Sequence, residues 1–206
     1  MKTKTLKAVG ASAFGLLFAA SLAFAQTPEM VRVRGSIDKV DGSTLSVTSR
    51  DGSKLTVKLA DNGTVVGLNK ASLSDVKQGN YVGITAVAQP DGSQKAVEIH
   101  IFPEAMRGTG EGHRPWDLMP NSTMTNATVD SEVAVSDGKK LVLKYKDGDQ
   151  TFVVPASVAV VLYGPGSTAD LKSGAKIMIP AAAKQPDGTL VTQRINVGLN
   201  GVAPPM

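Results

Sequence analysis

From about residue 30 onward the chain alternates apolar and polar positions with a period of two. Leu45-Ser46-Val47 and Leu55-Thr56-Val57-Lys58-Leu59 each place their apolar side chains on one face, the pattern of a half-buried β-strand. Asp-Gly pairs stand between such runs at 41–42, 51–52, 91–92, 137–138, 147–148 and 187–188. Asp-Gly tolerates the positive φ that tight hairpin turns require, so the pattern predicts short strands joined by hairpins.

The pattern occurs twice. VDGSTLSVTSRDGSKLTVKL (40–59) lies over SDGKKLVLKYKDGDQTFVVP (136–155), SLSDVKQG (72–79) over STADLKSG (167–174), and QPDGSQKAVEIHI (89–101) over QPDGTLVTQRINV (185–197). The same features in the same order indicate an internal duplication. Ser72 with Asp75, and Ser167 with Asp170, resemble caps of a short helical turn. Gly79 and Gly174 stand where a left-handed terminator belongs. Each copy therefore reads as strand, hairpin, strand, one helical turn and a closing hairpin.

The fold expectation is all-β: two tandem small OB-like β-barrels joined by a loop-rich linker, with half of a sandwich as the alternative for each unit. The expected divisions are a signal peptide (1–25), a first barrel (26–103), a linker (104–125) and a second barrel (126–206). Each copy is expected to have its own core. The inward residues of the first are Val33, Ile37, Leu45, Val47, Val57, Ile84, Ile99 and Ile101. Those of the second are Val129, Val133, Leu141, Leu143, Val153, Ile179, Ile195 and Val197. The pattern of paired Asp-Gly hairpins, SLSDVKQG and a final PDG hairpin resembles the bacterial exported domain of unknown function 5666. The resemblance covers both repeats but not the linker. It implies an exported, small, β-rich unit that is often tandem, and it rests on turn and core residues rather than on chemistry. Similar whole chains carry the label metal ABC transporter permease, which this sequence contradicts: no apolar stretch after Ala25 is long enough to span a membrane as a helix.

The first 25 residues change the charge argument. Lys2, Lys4 and Lys7 precede an apolar run and Ala23-Phe24-Ala25, which reads as a cleaved secretory signal and a periplasmic destination. The whole chain has 22 basic and 18 acidic residues; losing those lysines leaves 19 against 18. The basic excess that a nucleic-acid binder shows is then gone, and no nucleic-acid partner is expected. An outer-membrane barrel would need aromatic girdles, and the chain has 5 Phe, 3 Tyr and 1 Trp in all. With no cysteine, disulfides, thiolate metal sites and cysteine nucleophiles are excluded.

Candidate chemistry is sparse. Neither a nucleophile elbow nor a phosphate-binding loop occurs, so no catalytic residue, enzymatic activity or cofactor is expected. Glu98 and His100, two apart on a strand, share a face and are weak metal candidates, but a site needs more ligands and a solvated face is the favoured reading. Arg32 and Arg34 are read the same way. His113 lies in the linker near Met106, Met119 and Met124, a set of soft donors suited to copper. Arg114-Pro115-Trp116-Asp117 combines the anchor residues that interaction sites favour with a rigid proline. His113, Arg114, Trp116 and Asp117 are therefore the candidate binding residues, with a Trp116 wedge between the domains as the structural alternative. The leading functional reading is a non-enzymatic periplasmic binding or interaction module, with an envelope protein as the partner class. A copper-type metal-handling protein and a structural envelope protein are the alternatives. The signal reading has a direct check. Mass spectrometry of the exported protein is expected to show a chain beginning at Gln26, and retention of Met1 would refute it.

Overall fold

The computed structural model describes residues 28–206; the expected signal segment lies outside the described residues. The described residues form twelve strands: β1 (Met30–Asp41), β2 (Thr44–Ser49), β3 (Lys54–Ala71), β4 (Tyr81–Ala88), β5 (Gln94–Ile101), β6 (Gly112–Pro115), β7 (Ser122–Val135), β8 (Gly138–Tyr145), β9 (Gly148–Pro155), β10 (Ala159–Pro165), β11 (Lys176–Lys184) and β12 (Leu190–Gly198). Single 3-10 turns occupy Leu73–Asp75, Glu104–Met106 and Thr168–Asp170. The first and last are capped as the sequence indicates. The backbone N–H of Ser72 donates to Asp75 Oδ2, and that of Ser167 to Asp170 Oδ2, each at 2.8 Å. Among the described residues no helix is long and apolar enough to cross a membrane.

The strands close into small barrels, but neither ring is built from one repeat. In the first, β1 pairs with β2, β2 with β3, β3 in parallel with β12, β12 with β11, and β11 returns to β1. In the second, β7 pairs with β8, β8 with β9, β9 in parallel with β5, β5 with β4, and β4 returns to β7. The closing hairpin of each repeat thus completes the barrel of the other.

The geometry of the third strand explains the exchange. β3 is 18 residues long and runs on past its own ring. Its second half pairs antiparallel with β10, from Val66↔Pro165 to Ala71↔Val160. The two strands cross between the rings and deliver β4–β5 and β11–β12 to opposite sides. Matching hydrogen bonds fix both arrivals. Gly79 donates to Val129 O and Gly174 to Ile37 O, both at 2.8 Å; Val129 donates to Asn80 O and Ile37 to Ala175 O, both at 2.9 Å. Gly79 and Gly174 have φ of 85° and 84°, values that glycine adopts without a Cβ penalty.

Packing follows the exchange and corrects the expectation that each copy has its own core. Val33, Ile37, Leu45, Val47 and Val57 pack with Ile177, Ile179, Ile195 and Val197 from the other repeat. Ile84, Ile99 and Ile101 pack with Val129, Leu141, Leu143 and Phe152. A third cluster fills the space between the rings, with Leu68, Tyr81, Phe102, Met124, Val161, Tyr163, Met178 and Met206 at its centre. The expected linker is also partly strand: β6 pairs with β7, which already starts at Ser122.

Two expected core residues point outward. Val133 and Val153 are 59% and 38% exposed. Both lie opposite Lys140 on β8. A bulge between Val129 and Ser131 shifts the β7 pairing. The β8–β9 turn is shorter than its counterpart: Val47 pairs with Leu55, eight positions on, but Leu143 pairs with Gln150, seven on. A one-residue change in register swaps the faces of a strand, so Phe152 and Val154 face inward and are fully buried. Phe152→Ala is therefore expected to cost about 3–5 kcal/mol and Val153→Ala within about 0.5 kcal/mol. Urea denaturation of both variants checks this; equal losses would contradict the register.

Candidate functional site

The segment singled out in sequence is held between the rings. β6 anchors to β7 from Gly112↔Asn126 to Pro115↔Thr123. Beyond it the Trp116 N–H donates to Ser122 O at 2.8 Å, and Ser122 Oγ donates back to Trp116 O at 3.0 Å. The half-buried indole packs on the central cluster. The Arg32 guanidinium lies 3.8 Å from the indole centroid, and those of Arg114 and Arg34 lie at 5.5 and 5.8 Å. Asp117 Oδ1 is 2.6 Å from Arg32 Nη1 and 2.7 Å from Arg34 Nη2. Arg32 and Arg34 are on β1 of the first ring, whereas Trp116 and Asp117 follow a strand of the second. The four residues clamp the rings together.

This corrects the reading of Arg32 and Arg34 as a solvated face. The Arg34 side chain is only 11% exposed, and its Nε donates to Met206 O at 2.8 Å. A partly desolvated cation–π contact contributes about 1 kcal/mol or somewhat more. The Asp117 carboxylate is 53% exposed, so its ion pairs add less than about 1 kcal/mol. The Arg32–Trp116 stack is thus the stronger half of the clamp. The structure brings Arg114, Trp116 and Asp117 together as the sequence suggested, and adds Arg32 and Arg34 from 80 or more positions away.

His113 stands apart from the clamp. Its Nδ1 lies 2.7 Å from Thr125 Oγ1, and burial, then the charge of Arg114, lowers its pKa. Met124 neighbours Thr125 on β7 and so faces the opposite side of the sheet. Met119 is exposed. The expected donor set of His113 with the linker methionines is not assembled.

Beside the clamp lies an open cleft of about 540 Å³. It sits at the end of the first ring where the turn at 50–53 meets the β11–β12 turn. Arg32, Arg34, Arg50 and Lys184 line it with the carboxylates of Asp51 and Asp117, over an apolar floor of Val31, Val33, Leu55 and Leu190, and Lys184 Nζ is paired with Glu29 Oε2 at 3.4 Å. Among the described residues the one partner of the Arg50 side chain is a carbonyl: it donates to Pro204 O at 3.1 Å. Burial, and then the like charge of Arg34, lowers its pKa. The signal that could have found it was the Arg-x-Arg of β1 together with Arg50; the three become neighbours only when β1 pairs with β2.

The Glu98–His100 pair is not on a solvated face either. The residues are 1% and 3% exposed, covered by the neighbouring ring and β10. Thr85 Oγ1 donates to Glu98 Oε1 at 2.5 Å, and His100 Nδ1 lies 3.3 Å from Glu98 Oε2. The His100 ring meets Phe102 and Tyr163 edge-on, with centroids at 4.9 and 5.6 Å. Burial pushes the Tyr163 hydroxyl well above the ordinary tyrosine pKa; the charge of Arg194 opposes the shift and that of Glu98 adds to it. No protein-family model, curated protein or solved structure matches this chain.

The clamp makes two measurable predictions. Trp116→Ala removes the indole from both the central cluster and the arginines, and is expected to cost about 2 kcal/mol in urea denaturation; an unchanged midpoint would contradict the packing role. Burial by itself would raise the Asp117 pKa, but the hydrogen bonds and charges of Arg34 and Arg32 outweigh it and hold the carboxyl down to about 2. A depressed folded-state pKa contributes stability that is present above the unfolded carboxylate value, about 4, and is lost as pH falls through about 2. Asp117→Asn is therefore expected to flatten the acid limb of the stability profile between about pH 4 and 2, by less than about 1 kcal/mol because the group is exposed.

Proposed function

We propose that this protein is a non-enzymatic periplasmic binding module that captures an anionic group in the Arg32–Arg34–Arg50–Lys184 cleft. The observation that carries the reading is the convergence of Arg32, Arg34 and Arg50 in the cleft against Asp51 and Asp117, with a backbone carbonyl as the one partner of the Arg50 side chain among the described residues. Arginine forks match carboxylate and phosphate oxygens in pairs, and the open shape suits a group presented on a larger molecule. The strand order within each ring, a three-strand meander closed by a hairpin from elsewhere in the chain, supports an OB-like barrel used as a binding scaffold. The turn motifs that resemble the domain of unknown function 5666, together with the sequence of residues 1–25, support an exported member of that family. In this reading Trp116 is the brace that holds the cleft wall in place, and the ligand contacts shift from the Trp116 segment to the arginines beside it.

Calorimetric titration with inorganic pyrophosphate at low ionic strength tests this. The expected result is micromolar binding that weakens as salt rises and falls at least tenfold in Arg50→Ala. No heat in the wild-type protein, or unchanged affinity in an Arg50→Ala/Lys184→Ala double variant, would overturn the proposal.

A further inference from the structure

A second cavity, of about 120 Å³, lies between the two rings on the far side of Trp116 from the arginine cleft. Its lining contains three thioethers, Met124, Met178 and Met206, together with the imidazole of His100 and the amide of Asn126. The methionines are almost fully buried in the central cluster. They come from three separate segments that only the exchange of hairpins brings together: β7, β11 and the residues after β12.

The chemistry of His100 is set by its neighbours. A carboxylate oxygen accepts, so Glu98 facing Nδ1 places the ring hydrogen there, and the hydroxyl of Thr85 orients Glu98 in turn. Nε2 is left with its lone pair and sits over Gly83, where an added Cβ would lie 1.9 Å from it and 2.6 Å from Asn126 Oδ1. The second repeat has Met178 at the position of Gly83; both follow the first two residues of their strands. In one ring the missing side chain makes room for the imidazole; in the other a thioether stands there. Asn126 is 4% exposed and its Oδ1 has no hydrogen-bond partner among the described residues. Carboxylate-to-imidazole support is the outer-shell arrangement found behind metal-ligating histidines, where it fixes the tautomer and raises the basicity of the free nitrogen.

We propose that this cavity is a site for a monovalent soft cation of the copper(I) or silver(I) class, held by His100 Nε2 and the thioethers of Met124, Met178 and Met206. Thioether and imidazole donors select that class. The guanidiniums of Arg114 and Arg194 also line the cavity, which makes it a poor host for a hard divalent ion. Each guanidinium is tied to the cavity wall: Arg114 donates to Gly110 O at 2.7 Å, and Arg194 donates to Asn196 Oδ1 at 2.9 Å while lying over the Tyr163 ring. Asn196 Nδ2 approaches Met178 Sδ at 3.6 Å and so positions the sulfur without exhausting it. The site is independent of the arginine cleft and of His113.

Silver(I), which unlike copper(I) is not oxidised by air, is the probe, used in the dark and without chloride or added reductant. Titration of the whole protein, followed by the methyl resonances of its methionines, is expected to show one equivalent bound with submicromolar affinity and shifts confined to three methyl groups. Met178→Leu keeps the volume and apolar character of the side chain. It is expected to retain the wild-type melting temperature and lose at least tenfold in affinity, as should Met124→Leu; His113→Ala should bind like wild type. Affinity unchanged in Met178→Leu and Met124→Leu, loss in His113→Ala instead, or no binding by the wild-type protein would overturn the proposal.

Discussion

The antiparallel pairing of the second halves of β3 and β10 is the constraint on which the rest depends. Six residue pairs, Val66 to Ala71 against Pro165 to Val160, tie the long strands of the two repeats together between the rings. Once they are paired, each strand leaves its own ring in the direction of the other, and the hairpin that follows can only close the opposite barrel. Loop closure does not oppose this. The connection through each capped 3-10 turn is short, and lengthening a loop costs little in any case. The hydrogen bonds at Gly79 and Gly174 then make the two junctions equivalent. Exchange of an identical element between like units is an accessible route to association; here both units belong to one chain.

Sequence periodicity made the strands, the Asp-Gly turns and both capped turns legible, because each depends on a few adjacent residues. It also identified most of the core: of the sixteen residues expected to face inward, only Val133 and Val153 point out. Those two failed because aligning the copies by sequence hides the bulge after Val129 and the shorter turn before Gly148, and a period of two punishes a single-residue slip by reversing the face. The exchange itself was not legible. Two copies of one closing hairpin fit either ring nearly equally well by pattern, and nothing local records which ring each will join.

The same limit governed the sites. Trp116 with its flanking Arg114 and Asp117 could be singled out locally, but its partners Arg32 and Arg34 could not be assigned, because the contact crosses between rings. Glu98 and His100 read as a surface pair because one face of their strand had no visible cover. The cover is the other ring, so the same residues become a buried, mutually oriented pair. The exchange thereby creates the space between the rings in which the clamp and the methionine-lined cavity arise, with the arginine cleft beside the clamp at the end of the first ring.

Because the chain has no cysteine, the exchange can be read by a single introduced disulfide. Ser36 lies opposite Lys176 across β1 and β11, in a pair not bridged by its own hydrogen bonds, since Ile37 N–H donates to Ala175 O beyond it. Such pairs have Cα atoms about 4.5 Å apart, within disulfide reach. Without exchange, Tyr81, the residue that occupies the Lys176 position in the first repeat, would lie opposite Ser36. The account predicts that Ser36→Cys/Lys176→Cys oxidises to a monomeric, intramolecularly bridged protein of undiminished stability, and that Ser36→Cys/Tyr81→Cys does not. Bridging in the second variant and not in the first would contradict it.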